Sequence, residues 1–302
     1  MSKLVSLPLQ GVRAGSFDGD TSEADRQWAR QHGNIIFTNP DMLHRSILPG
    51  HERFRRWFKN LRFVVVDEAH RYRGVFGSHV ALVLRRLLRV AALYGARPTV
   101  VGASATMADP AGAFGRFTGR EAYAVTEDTS PKAAGTFLLW EPPLVAGEEA
   151  QRRSTISEAT SMLVDTTCAG VRSIAFIASR AGAEALADSV RSQVGQIAPE
   201  LTTSVAAYRG GYLPEERRAL ETGLRGGKLR TVASTSALEL GIDISGLDVV
   251  VIAGWPGTLA SLWQQAGRAG RAGQKWLAVL IARDDPLDTY VVHNPEHVFD
   301  AP

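Results

Sequence analysis

The stretch that decides the fold is Phe63-Val-Val-Val-Asp-Glu-Ala-His70. A run of β-branched apolar residues stops at two carboxylates, as a buried strand does at the ligand-binding edge of an open parallel α/β sheet. At such an edge an aspartate can hold a magnesium ion through water, and a glutamate can polarise an attacking water. Taken alone, Asp67 to His70 fits an acidic helix-capping turn equally well.

Working outward, further strand-like runs lie at Asn34 to Thr38 and Pro98 to Ala103 in the first half. In the second half they occupy 173–178, 203–208, 230–235, 249–254 and 277–282. Longer amphipathic segments separate them. One is predicted as a helix from about Ser78 to Tyr94, with Val80, Val83, Leu84, Leu87, Leu88 and Ala91 on one face and Gly95 as its stop. Pro214, followed by Glu215 and Glu216, suits the first turn of another. This alternation predicts parallel α/β architecture. A chain of 302 residues has room for two such domains, each with its own core. The proline-bearing segment 127–151, around the short apolar run FLLW, is the expected boundary, which gives domains 1–130 and 131–302.

Composition narrows the function classes. With 45% hydrophobic and 22% charged residues the chain reads as globular. It has no apolar run of the roughly 18 residues that a membrane span needs and no secretory-type start, so no membrane partner and a cytoplasmic location are expected. The single cysteine, Cys168, excludes a disulfide framework and a structural zinc site made of cysteines. Only five of the 34 basic residues are lysine. Arginine suits phosphate contacts, although the formal charge of +3 permits polyanion binding without indicating it.

Three more motifs stand out, the first two directly after strand-like runs. Ser104-Ala-Thr106 is also an ordinary turn composition, and Asp109-Pro110 after it reads as a helix cap and first residue. In Ser234 to Asp243 (STSALELGID), Gly241 would let backbone approach a phosphate and Asp243 would accept a ribose hydroxyl; a helix with a glycine stop reads the same way. In Gln264 to Gly273 (QQAGRAGRAG), Arg268 and Arg271 stand three apart, as on one helical face among small residues, and two guanidinium groups so placed can clamp a γ-phosphate.

In this order and spacing, DEAH, SAT, TSALELGID and QQAGRAGR resemble motifs II, III, V and VI of superfamily-two helicases, whose motor is a pair of RecA-like domains. TNPDML (38–43), YRGVFGSH (72–79), YRGGYLPEERRALE (208–221), GWPGT (254–258) and ARDDPLDTY (282–290) narrow the likeness. They are similar to DNA helicases related to the RecQ-four type, a group that includes the YprA-type proteins and the mitomycin repair factor. The resemblance runs from about Phe17 to Phe299.

It implies an ATP-dependent DNA helicase or translocase that uses ATP and Mg2+ on single-stranded DNA, or on DNA with a single-stranded tail, in a repair setting. Asp67 would serve the magnesium and Glu68 the hydrolytic water, Gln264 would sense the γ-phosphate, and Arg268 and Arg271 would be fingers. Gly241 and Asp243 would face the nucleotide, while His70, Ser104 and Thr106 would couple the nucleotide and nucleic-acid sites. Thr38, Arg180, Arg209 and Thr235 match positions that contact the nucleic-acid backbone, which position a strand without reading its sequence.

The family also needs a phosphate loop, G-x-x-x-x-G-K-[ST], and the 302 residues hold no such string. The only Gly-Lys pair, Gly227-Lys228, is followed by Leu229. In the family the loop precedes a segment like Ser16 to Thr21, and here fifteen residues stand before it. The chain therefore reads as a truncated helicase with an incomplete first domain, weak ATP binding and a less stable first half; the four-cysteine region of many relatives is missing too. Two alternatives stand beside this reading. One is an inactive nucleic-acid-binding pseudo-helicase; the other is a split motor whose phosphate loop comes from another polypeptide. Retention of Glu68, Gln264, Arg268 and Arg271 speaks against a long-dead ATPase.

Overall fold

The structure is a computed structural model that describes residues 11–104, 109–127, 129, 134–145, 151–208, 211–239, 247–270 and 275–299. The chain divides into two compact units, Met1–Thr126 and Glu127–Pro302. Both are α/β with parallel sheets.

Unit one contains β1 (Ala14–Phe17), α1 (Glu23–His32), β2 (Ile35–Thr38), β3 (Phe63–Val66), α2 (Gly74–Leu93), β4 (Thr99–Gly102) and α3 (Pro110–Thr118), with short helical turns between β2 and β3. Ser22 caps α1 by accepting from the Asp25 amide, and Asp109 caps α3 by accepting from Gly112. α2 buries Leu84, Leu87, Leu88 and Ala91 against Ile47, Leu48, Phe54 and Phe58. It starts four residues before the expected Ser78. Gly74 and Gly77 read as breakers, but a Cβ on Gly77 would lie 2.3 Å from the Tyr72 carbonyl carbon, so glycine is what lets the first turn pack this closely.

Among the described residues, unit one forms two separate two-stranded sheets, β1-β2 and β3-β4. The expectation that β3 is a buried strand is corrected. Its inner residues Val64 and Val66 pack on the core, while Phe63 is 64% and Val65 66% exposed, beside exposed Val101 on β4. Two-stranded sheets with one bare face are marginal by themselves. Amides of β3 and β4 should therefore exchange with solvent far faster than those of the second unit's sheet. Equal protection in hydrogen-exchange mass spectrometry would contradict that ranking.

Unit two contains β5 (Gly135–Trp140), α4 (Thr155–Cys168), β6 (Ser173–Ile177), α5 (Arg180–Ile197), β7 (Val205–Tyr208), α6 (Pro214–Arg225), β8 (Thr231–Ser234), β9 (Val249–Ala253), α7 (Leu259–Ala266), β10 (Trp276–Ile281) and α8 (Pro286–His293). One parallel sheet runs β5-β10-β9-β6-β8-β7. Side-chain alternation splits its core into two layers. Ile174, Phe176, Val250, Ile252 and Leu280 pack with Leu224, Leu262 and Val291, whereas Ala175, Val251, Val279 and Ile281 pack with Leu163, Leu186 and Val190. FLLW is not linker, as the boundary reading implied, but most of edge strand β5, in register with β10 from Trp276↔Gly135 to Ile281↔Trp140.

Candidate functional site

In unit one the chain leaving β3 stays zipped to the chain leaving β4. The Ala103 amide donates to the Val66 carbonyl at 2.9 Å, and the Ala69 amide donates to the Ala103 carbonyl at 2.8 Å. The DEAH segment is thus held beside Ala103, next to Ser104, where the SAT segment begins. His70 is buried at this junction, with its Nδ1 3.4 Å from both Ser104 Oγ and a Glu68 carboxylate oxygen. Movement of Ser104 would be felt by Glu68 through the imidazole. Thr106, the other coupling candidate, lies outside the described residues.

Glu68 adopts φ 51° and ψ 43°, and is the only non-glycine at positive φ among the described residues. A left-handed glutamate costs on the order of 1 kcal/mol, a strain that collects at functional positions. Asp67 Oδ1 accepts from the Glu68 amide at 2.9 Å, and the carboxylate is exposed to solvent. An exposed hard-oxygen donor fits magnesium, which keeps several waters and takes one or two carboxylates along with phosphate oxygens. Tyr72 lies beside it: burial first, and the Asp67 charge second, push its phenol pKa up. Thr38 is exposed at the end of β2, with its hydroxyl donating to the Phe17 carbonyl at 2.8 Å.

In unit two Arg180 is the exposed first residue of α5, after the Ser179 cap. A Cβ on Gly211 would lie 3.8 Å from its Nη1, so the guanidinium stands near Gly211. Arg209 itself lies outside the described residues, as do Gly241, Asp243 and Arg271. Thr235 follows β8 directly, half-buried, with its carbonyl accepting from Ser234 Oγ at 2.8 Å.

The structure also reveals a buried carboxylate that the motif reading passed over. Glu239 accepts from Ser261 Oγ and from Gln265 Nε2, each at 2.9 Å, and its carbonyl accepts from the Arg268 guanidinium. It ties the loop after β8 to α7 and the turn beyond. A carboxylate amid the leucines of ALEL was the available signal, because such a group requires partners when buried. Gln264 stands half-buried on α7 next to Gln265. The expectation that Arg268 sits on a helical face is corrected: α7 ends at Ala266, and Arg268 lies in the following turn.

A second buried node holds the GWPGT and ARDD segments together. Asp288, 2% exposed, accepts from the Trp255 amide at 2.9 Å, the Arg283 amide at 2.8 Å and the Arg283 guanidinium at 3.0 and 3.1 Å. Burial pushes its carboxyl upward. The hydrogen bonds from Arg283 and Trp255 and the charge of Arg283 outweigh that, leaving it below the ordinary carboxylate range.

Two family descriptions match, "DEAD/DEAH box helicase" over residues 2–113 and "Helicase conserved C-terminal domain" over residues 157–273. With the DEAH segment paired to the chain at Ala103 in one α/β unit and the arginine-bearing turn in the other, they define the class: the chain belongs to the DEAD/DEAH-box helicases, a family of ATP-dependent enzymes.

Within that class it is 43% identical over 95% of its length to the uncharacterized ATP-dependent helicase YprA of Bacillus subtilis, spanning 38% of that protein. It is 40% identical over 97% of its length to the ATP-dependent helicase HRQ1 of Saccharomyces cerevisiae, spanning 28% of it. Among solved structures, the DUF1998 helicase MrfA bound to DNA and AMPPNP is similar at a TM-score of 0.88 and 43% identity, over 96% of this chain and 40% of that one. The chain therefore spans less than half the length of these relatives. Among the described residues, no helix is long and apolar enough to cross a membrane.

Proposed function

We propose that these residues form the motor of an ATP-dependent DNA helicase or translocase that tracks a single strand, in a DNA-repair setting. The observation that carries the reading is the pairing of the DEAH segment with the chain at Ala103, and His70 between Glu68 and Ser104. It provides a mechanical link between a water-polarising carboxylate and a second loop, which a capping turn has no need of.

In this reading Asp67 holds Mg2+ through water and Glu68 orients the hydrolytic water. Gln264, Arg268 and Arg271 address the γ-phosphate, with Gly241 and Asp243 toward the nucleotide. Held by Asp67, Mg2+ would supply charge compensation on the phosphates; the chain's own groups position water and stabilise developing negative charge. Thr38, Arg180, Arg209 and Thr235 hold the strand's backbone, and His70, Ser104 and Thr106 couple the two functions. DNA-bound relatives such as MrfA support a DNA substrate.

The exposed face of Phe63, Val65 and Val101 favours a second element in the reading. A segment carrying the phosphate loop, from the same or another polypeptide, covers that face and completes the nucleotide site. Such apolar surface on parallel strands is ordinarily buried.

Binding to single-stranded DNA tests the nucleic-acid part directly. Two arginine–phosphate contacts, at a slope of about −0.7 per contact, weaken binding roughly 7-fold between 50 and 200 mM salt. Fluorescence anisotropy with a labelled oligothymidine measures this. An affinity that ignores salt would remove the backbone-contact assignment.

A further inference from the structure

We propose that the start of α2 is a base-stacking site for single-stranded DNA, formed by Val75 and Phe76 with Arg71 and Arg73 shortly before them in the chain. The site rests on the nucleic-acid motor reading above and adds to it a contact with bases rather than backbone.

Val75 is 76% exposed and Phe76 58% exposed, side by side on the first turn of the helix. Scattered exposed apolar residues need no explanation, but this pair has a particular electrostatic setting. From Ala69 to Ala108 the sequence holds six arginines and no aspartate or glutamate. Arg71 and Arg73, both exposed, shortly precede the pair in the chain, and Asp67 and Glu68 stand further back. An aromatic face with guanidinium groups around it is the combination that grips a single strand, with bases on the ring and phosphates on the arginines.

Phe76 is also the exposed end of a row of rings. Its centroid lies 5.8 Å from Tyr72, Tyr72 lies 5.5 Å from Phe117 in a stacked arrangement, and Phe117 lies 6.1 Å from Phe114. At the other end, a Cβ on Gly102 would approach Phe114 to 2.6 Å, so that ring lies flat on the end of β4, just before Ser104. The close packing of Gly77 on the Tyr72 backbone fixes where Phe76 points. A base stacked on Phe76 extends the row outward. The row then links DNA occupancy to Tyr72, beside Asp67, and to the strand that leads into the SAT segment.

The test compares an oligothymidine with an abasic oligomer of the same length and charge, by anisotropy at fixed low salt. Wild-type chain should prefer the oligothymidine by about 5- to 150-fold. Phe76→Ala should abolish that preference with abasic affinity unchanged, and Phe76→Trp should retain it. Arg71→Ala with Arg73→Ala should weaken both oligomers alike and reduce the salt slope by about 1.4. A preference that survives Phe76→Ala, or is absent from wild type while both oligomers bind, overturns the stacking site. Failure of wild type to bind either oligomer overturns the motor reading itself, and the site with it.

Discussion

Asp288→Ala is expected to lower the stability of the second unit by about 3 kcal/mol, visible as a lower denaturation midpoint at unchanged slope. The carboxylate satisfies two backbone amides and a guanidinium at once, at a position with no access to water. Its loss leaves the Trp255 and Arg283 amides without that acceptor at the ends of β9 and β10. Arg283 is partly exposed, so water compensates its charge and the cost stays at the lower end of that for a broken buried pair.

The pH dependence follows from the same bonds. Asp288 ionises more readily in the folded chain than in the unfolded one, so its contribution is complete above the ordinary carboxylate range, near pH 4, and is lost as pH falls through the lowered value. Asp288→Asn should therefore flatten the acid side of the stability profile; an acid limb identical to wild type would refute the assignment.

Hydrolysis should show the largest rate effect. Catalysis of phosphoryl transfer consists of positioning and electrostatic stabilisation, and the amides and lysine of a phosphate loop supply much of both. The 302 residues contain no G-x-x-x-x-G-K-[ST], so a polypeptide of these residues alone should turn over ATP near background. With such a segment supplied, Glu68→Gln should reduce single-strand-stimulated kcat by about 10²- to 10⁴-fold, the usual contribution of a positioned proton acceptor. Nucleotide affinity should change little, because the substitution keeps the side chain's size and its place in the DEAH turn. A loss confined to KM would instead make Glu68 a binding residue.

Much of this was legible in the sequence because strong local signals and tertiary needs agree. The β-branched runs before DEAH and SAT became β3 and β4, and Asp109-Pro110 became the cap and first residue of α3. Other features needed the structure. β1, Ala14–Phe17, is too short and too rich in Gly and Ser to stand out, and gains its strand character only from pairing with β2. FLLW, between prolines, reads as linker until β10 provides a partner. Arg268 leaves the helix because Gly267 ends it, which the even spacing of arginines concealed. Glu239 and Asp288 look like ordinary surface acids in a string of letters; their burial depends on partners far along the chain.

The most direct measurement is single-strand-stimulated ATP hydrolysis by two polypeptides side by side, these 302 residues alone and the same residues joined to a phosphate-loop segment, each with Glu68→Gln as control. Turnover confined to the joined form, raised by single-stranded DNA and lost in Glu68→Gln, is the expected result. Robust turnover by the 302 residues alone, or by the joined Glu68→Gln form, would contradict the assignment of Asp67 and Glu68 as a metal-and-water box that depends on a phosphate loop.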